Sequence, residues 1–280
     1  MMEERFIAWT REVAERHKTE WSVHVSDLRR IETTSNFPRS IESDAAAIAG
    51  FARRQCTSNF GFALVRGIPT ATFLSAATRP FLQLIASSLG APQTQDRFGD
   101  QVGILSASRR GPDWYNPLPF HTDGADLLLL LAIHPAASGG LTRLACSEAI
   151  LSSVKAEMPE DWPLLFDNWV FHRSNRPGPA YFERPIFATM SDSSVTCFFL
   201  PGTIRDTPRI AGTTLTDTQL SLIAKFEEIA ERPSMHLDLA LQAGDLLVVN
   251  NTKLLHARTS YEDNPKHPPR MLYRMWVDLK

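Results

Sequence analysis

Leu118-Pro119-Phe120-His121-Thr122-Asp123-Gly124, followed two residues later by the apolar run Leu127 to Ile133, is the stretch that decides how this chain reads. In an extended segment, residues i and i+2 point to the same face. His121 and Asp123 therefore project together towards a sheet interior. One imidazole and one carboxylate at that spacing supply two of the three protein ligands of a facial metal site. The run that follows is far too short for the roughly 20 residues that span a bilayer, so it reads as a buried strand.

The third ligand must come from elsewhere. His256 is the leading candidate, in Asn250-Asn251-Thr252-Lys253-Leu254-Leu255-His256-Ala257-Arg258 on a late strand or strand edge, 135 positions downstream (256 − 121). His172, in Phe171-His172-Arg173, is its rival. His17, His24, His134, His236 and His267 read as structural or exposed. Two imidazoles and one carboxylate leave half of an octahedral shell open, which suits Fe(II) binding a bidentate co-substrate and O2. Each residue alone has a plainer reading. An isolated His-x-Asp is a common turn or cap, and an isolated His256 is a hydrogen-bonded core histidine.

Two arginines extend the pattern. Arg270 and Arg274 belong to Arg270-Met271-Leu272-Tyr273-Arg274-Met275-Trp276, and a spacing of four puts both on one face of a strand. Arginines inside a barrel are costly unless each meets an anion, and a guanidinium fork matches a carboxylate. The alternative is an exposed edge strand with solvated arginines. Thr142, in Gly139-Gly140-Leu141-Thr142, offers a hydroxyl to the same carboxylate or is an ordinary strand threonine. Trp114 and Tyr115 line a pocket or pack their own loop, and His172 faces a cleft or the surface.

The rest of the chain frames these residues. Of 280 residues, 43% are hydrophobic and 21% charged, which is ordinary for a globular protein, and the net charge of −2 offers no basic stripe for nucleic acid. Three cysteines, Cys56, Cys146 and Cys197, lack CxxC spacing, so neither a disulfide framework nor a structural zinc site is expected. Free thiols and an N-terminus without an apolar leader fit a cytoplasmic protein that takes a small molecule and no membrane; a homo-oligomer is allowed.

Apolar spacing predicts helices over Ser40–Cys56 and Thr72–Leu89, and a third over Asp217–Ala230 with Thr216 as N-cap and Leu220, Ile223 and Phe226 inward. Helical character is also read for Glu148–Met158. Short strands are expected at Phe62–Val65, Val102–Leu105, Leu141–Ala145, Trp169–Phe171, Ile186–Thr189, Val195–Leu200, Met235–Leu239, Leu246–Val249, Leu254–Ala257 and Met271–Val277. Residues 1 to about 35 read as a short helix with an irregular lead-in. This order suggests a mostly β fold with flanking α-helices, an antiparallel sandwich or jelly roll. One domain over 1–280 is expected, with 93–119 and 168–212 as lid segments.

These residues resemble the taurine dioxygenase-like family of Fe(II)/2-oxoglutarate oxygenases, and the resemblance runs from Gly61 to Val277. Gly61-Phe62-Ala63-Leu64-Val65-Arg66-Gly67-Ile68-Pro69 looks like the family's first core strand. Leu118 to Gly124 looks like its HxD segment, and Gly139 to Thr142 its GGxT segment. Gly244-Asp245 through Arg258 is similar to its distal-histidine block, and Arg270 through Trp276 to its closing strand. The resemblance implies a double-stranded β-helix, with iron on His121, Asp123 and His256 and the distal carboxylate of 2-oxoglutarate on Arg270 and Thr142. The spacings of 14 and 18 from His256 to Arg270 and Arg274 (270 − 256 and 274 − 256) resemble the clavaminate synthase-like branch, which gives Arg274 to the primary substrate. Asn250 stands where many members carry aspartate.

The implied reaction consumes 2-oxoglutarate and O2, releases succinate and CO2, and oxidises an unactivated C–H of a small, acid-bearing metabolite. Asp123 favours hydroxylation, desaturation or cyclisation over halogenation, because halogenating relatives lack that carboxylate. Two other readings stay open at this point: a zinc-dependent hydrolase on the same triad, and a catalytically silent jelly-roll binding protein.

Overall fold

Side-chain alternation builds two facing sheets. In the strand Leu127–His134, Leu128, Leu130 and Ala132 sit in one core cluster, while Leu127, Leu129 and Leu131 sit in another. The strand is therefore buried on both faces, which explains a continuous apolar run instead of alternation. The same parity holds in Leu246–Asn250, where Leu247 and Val249 face one way and Leu246 and Val248 the other. Truncating a fully buried leucine here, such as Leu129→Ala, costs about 2–5 kcal/mol.

The computed structural model describes residues 6–31, 40–70, 77–96, 98–172 and 179–279. The start of the helix expected from Thr72, and Arg173, lie outside them. The major sheet runs in the order Ser22–His24, Phe62–Arg66, Leu246–Asn250, Leu127–His134, Met271–Asp278, and both Ala91–Gln93 and Gly103–Leu105 pair with that last strand. The minor sheet runs His236–Leu239, Thr142–Cys146, Leu254–Arg258, Leu118–His121, antiparallel throughout. The outer face of the major sheet packs on the helices Ile41–Ser58 and Thr78–Leu89. The helices Ser147–Glu157, Pro201–Ile210 and Asp217–Ala230 contribute to a second apolar layer outside the minor sheet. This is the double-stranded β-helix with flanking helices that the resemblance implies. Among the described residues, no helix is long and apolar enough to cross a membrane.

Several expectations need correction. The N-terminal stretch contributes Ser22–His24 as a parallel edge strand against Leu64–Arg66. Ala91–Gln93 is also a strand, despite Pro92, because it lies at a sheet edge where a missing N–H is tolerated. Of the expected strand Val195–Leu200, only Val195–Cys197 pairs, and the chain then enters a helix at Pro201. Pro201 in the first helical turn is a permitted start, but Pro208 inside hid the element from a pattern reading. In Asp217–Ala230 the capping box of Thr216 and Gln219 forms, yet Leu220 is 42% exposed. The inward face is Leu222, Ile223, Phe226, Ile229 and Ala230.

Candidate active site

The inner face of the minor sheet carries the site. Leu254 lies in the core between the sheets while Leu255 and Ala257 face outwards. That parity turns His256 and Arg258 inward. On the neighbouring strand, Leu144 and Cys146 are inward and bring Thr142 with them. His256 pairs directly with His121 across the strands, and Arg258 pairs with Thr142. From the opposite sheet, Leu272 is inward, and Arg274 and Trp276 share its parity.

Thr122 explains how two neighbours of one residue reach the same interior. It is fully buried on the outer side, where its N–H donates to Phe199 O (2.8 Å) and its Oγ1 accepts from Phe199 N–H (2.9 Å). His121 and Asp123 are left facing inward. Asn251 holds the turn that follows: its Oδ1 accepts from Asp123 N–H (3.0 Å), and its Nδ2 donates to Asp123 O (2.7 Å) and Ala125 O (2.9 Å). Asn250 anchors the distal-histidine loop, donating to Cys56 O (3.0 Å) and accepting from Thr252 N–H (3.0 Å) and Oγ1 (2.8 Å). An amide can donate and accept at once, so asparagine serves where an aspartate would only accept.

The result is a compact donor set. One ligand atom from each of His121, Asp123 and His256 lies within 4.8 Å of the others, and the two imidazole centroids are 4.1 Å apart. His121 Nδ1 donates to Pro119 O (2.8 Å), which leaves Nε2 as the lone-pair nitrogen. His256 Nε2 stands 3.7 Å from Asp123 Oδ2, while its buried Nδ1 has no hydrogen-bond partner among the described residues. Burial, then the neighbouring His121, pushes the His256 imidazole down to about 3, so the ring is neutral and able to donate electrons. Burial alone would raise the Asp123 carboxyl. Its neighbours His256, Arg274 and His121, with the hydrogen bond from Trp276 Nε1 (2.8 Å), outweigh that and hold it below its ordinary value. Two imidazoles and an ionised carboxylate gathered this closely fit a divalent cation.

The triad lines a cleft whose space, counted out into open solvent, is about 490 Å³. Thr142, Arg258, Arg270 and Arg274 supply its other polar groups, and Leu105, Trp114, Leu118, Leu128, Leu130 and Leu272 its apolar walls. Arg274 donates through Nε to Gln95 Oε1 (2.9 Å), and its Nη1 is 3.8 Å from Asp123 Oδ2. Arg270 is 5% exposed and lies just before the closing strand, which begins at Met271. Despite a register irregularity between Met271 and Leu272, both arginines reach the cleft.

Not every expected residue does. Tyr115 is exposed, packs at a tilt against Tyr261 (centroids 5.0 Å apart) and donates to Asp263 Oδ2 (3.4 Å), outside the cleft lining. His172 is exposed on the hairpin Asn168–His172/Tyr181–Pro185, and no described residue of 168–212 lines the cleft. The segment instead supports the metal strand from behind, through Phe199. Arg258, by contrast, was not singled out from the sequence. The period of two starting from His256 was the signal that would have found it.

Comparison with known proteins agrees with this geometry. The sequence profile of the family described as "Taurine catabolism dioxygenase TauD, TfdA family" matches residues 28–276. The FR-33289 synthase of Streptomyces rubellomurinus is 27% identical over 241 residues, covering 81% of this chain and 71% of the relative. A uridine-5'-phosphate dioxygenase of a Streptomyces species is 29% identical over 166 residues, covering 55% of this chain and 59% of the relative. Among solved structures, the non-heme iron oxygenase OrfP in complex with Fe and alpha-ketoglutaric acid superposes with a TM-score of 0.60 at 16% identity, over 98% of this chain and 94% of that one.

Proposed function

Because the chain belongs to the taurine catabolism dioxygenase TauD, TfdA family, we propose that its cleft divides into an iron end, a co-substrate end and a substrate wall. The reaction class is that of the family: this is an Fe(II)- and 2-oxoglutarate-dependent dioxygenase, which leaves the zinc-hydrolase and silent-binding readings without support. In this reading His121, Asp123 and His256 hold the iron, Arg270 and Thr142 hold the distal carboxylate of 2-oxoglutarate, and Arg274 with Trp114 faces the primary substrate. Residues 1–280 act as one domain, with 93–119 covering the cleft.

The observation that carries the proposal is the charge of the cleft. Among the described residues its lining holds three guanidinium groups and one carboxylate, and that carboxylate belongs to the candidate metal triad. Fe(II) with 2-oxoglutarate and O2 supplies oxidative decarboxylation, giving succinate and CO2, coupled to oxidation of a substrate C–H. The protein's share is placement. The Arg270 fork and Thr142 hydroxyl orient a dicarboxylate towards the triad, Arg274 offers a cation beside Asp123, and the leucine walls exclude water. An acid-bearing small molecule fits Arg274, and the phosphate in the name of the uridine-5'-phosphate dioxygenase is in keeping with such a substrate.

The test has two stages. Anaerobic titration of the Fe(II) protein with 2-oxoglutarate should produce a weak visible charge-transfer band. A panel of anionic metabolites is then screened for stimulated succinate formation. No band, together with zinc-dependent hydrolysis, would sink the assignment.

A further inference from the structure

Arg258 is a buried cation to which that division of labour gives no task. It is 7% exposed. Its Nη2 donates to Trp114 O (2.6 Å) and to Asn116 O, and its guanidinium carbon lies 4.9 Å from the ring centroids of both Trp114 and Tyr261. Its Nε is buried with no hydrogen-bond acceptor among the described residues. No carboxylate among the described residues lies within ion-pair distance of it. Burying a guanidinium on two backbone carbonyls and two rings leaves its charge uncompensated.

Its place in the cleft says what would compensate it. Arg258 pairs directly with Thr142 across the minor sheet, so the two side chains leave neighbouring strands on the same face. Arg258 and Arg270 share one aromatic platform, with Tyr261 4.9 Å and 5.0 Å from their guanidinium carbons. They are close enough that Arg258's charge adds to burial in bringing Arg270 down to about 10. Arg270 is fixed from behind, since its Nε packs where a Cβ on Gly140 would stand 3.0 Å away. Two buried like charges beside a threonine hydroxyl form a receptor for an anion.

We propose that Arg258 binds the distal carboxylate of 2-oxoglutarate together with Arg270 and Thr142. Because the same guanidinium holds the carbonyls of Trp114 and Asn116, co-substrate binding also steadies the wall that Trp114 provides. The proposal rests on the reading that the co-substrate's distal end lies at Arg270 and Thr142.

The experiment is isothermal titration of the Fe(II) protein without oxygen, using 2-oxoglutarate and oxalate as paired ligands. Oxalate keeps a chelating end and has no distal arm. Arg258→Gln retains a donor for the loop carbonyls and removes the charge. It should weaken 2-oxoglutarate binding about tenfold or more, the size of a charge-assisted contact, and leave oxalate within about twofold. Equal weakening of both ligands, or of neither, overturns the proposal; the first outcome makes Arg258 a loop fastener only. Arg270→Ala separates the two levels. If 2-oxoglutarate affinity ignores Arg270→Ala, the underlying reading fails. If it responds to Arg270→Ala and not to Arg258→Gln, this inference alone fails. Should Arg258→Gln not fold by melting curve, Arg258→Lys is titrated the same way, with selective loss of 2-oxoglutarate supporting the proposal and equal loss overturning it.

Discussion

The two ends of the cleft are built on opposite electrostatic plans. At the triad end, one carboxylate is surrounded by two imidazoles, the indole N–H of Trp276 and the guanidinium of Arg274. Elsewhere in the lining, Arg258 and Arg270 crowd against the aromatic rings and backbone carbonyls of their surroundings. The first end gathers lone pairs and suits a cation. The second gathers donors and suits an anion. In the proposed binding mode, 2-oxoglutarate spans that gradient, with its chelating end towards the triad and its distal carboxylate towards the arginines.

Asp123→Ala is the most severe way to break the contrast. It removes the one carboxylate from the triad and leaves Arg274 beside two imidazoles. Fe(II) binding in an anaerobic titration and succinate formation should both be lost. A variant that still bound iron and turned over would refute the triad. Next in size is Arg270→Ala, which strips one cation from the other pole. The 2-oxoglutarate concentration for half-maximal turnover should rise about 10- to 100-fold, as expected for a charge-assisted fork, while Fe(II) affinity stays put. An unchanged requirement would mean that Arg270 serves another acid.

The two poles also differed in how far they could be read from sequence. His121 and Asp123 were legible because their spacing is local and their strand is regular. His256 was legible only through its combination with them, because a register contact across 135 positions (256 − 121) leaves no local trace. Arg274 shares the parity of Leu272 and could be read from alternation. Arg270 precedes the strand, and an irregularity intervenes, so its arrival in the cleft is a tertiary result. Arg258 was hidden by its neighbours: Leu254, Leu255 and Ala257 read as plain strand, and a guanidinium so close to a metal ligand passed as part of the motif. The helix Pro201–Ile210 was missed because Gly202 and Pro208 speak against a helix, and the packing of Ile204 overrides them.

Support of the triad is the third test. Asn251 closes three hydrogen bonds around the backbone of Asp123 and Ala125 without touching a ligand atom. Asn251→Ala should lower Fe(II) affinity about tenfold, the lower range for residues that orient ligands, and cost about 1–3 kcal/mol of stability. Its effect on 2-oxoglutarate should follow from lost iron and vanish at saturating Fe(II). A 2-oxoglutarate defect that persists there would show that the poles are not independent.

The smallest expected effect compares two groups within the anion pole. Thr142 is 3% exposed and stands opposite Arg258, so in the proposed reading its hydroxyl meets the same carboxylate as a neutral donor. Thr142→Val keeps the β-branched shape that suits the strand Thr142–Cys146 and removes only the hydroxyl. A neutral hydrogen bond contributes about 1 kcal/mol, so 2-oxoglutarate affinity should fall about fivefold. That lies well short of the loss expected for Arg270→Ala, because the guanidinium adds charge to the contact. Equal losses from the two variants would make placement by the hydroxyl, and not charge, the controlling feature of this pole. No loss from Thr142→Val would leave the carboxylate to the arginines alone.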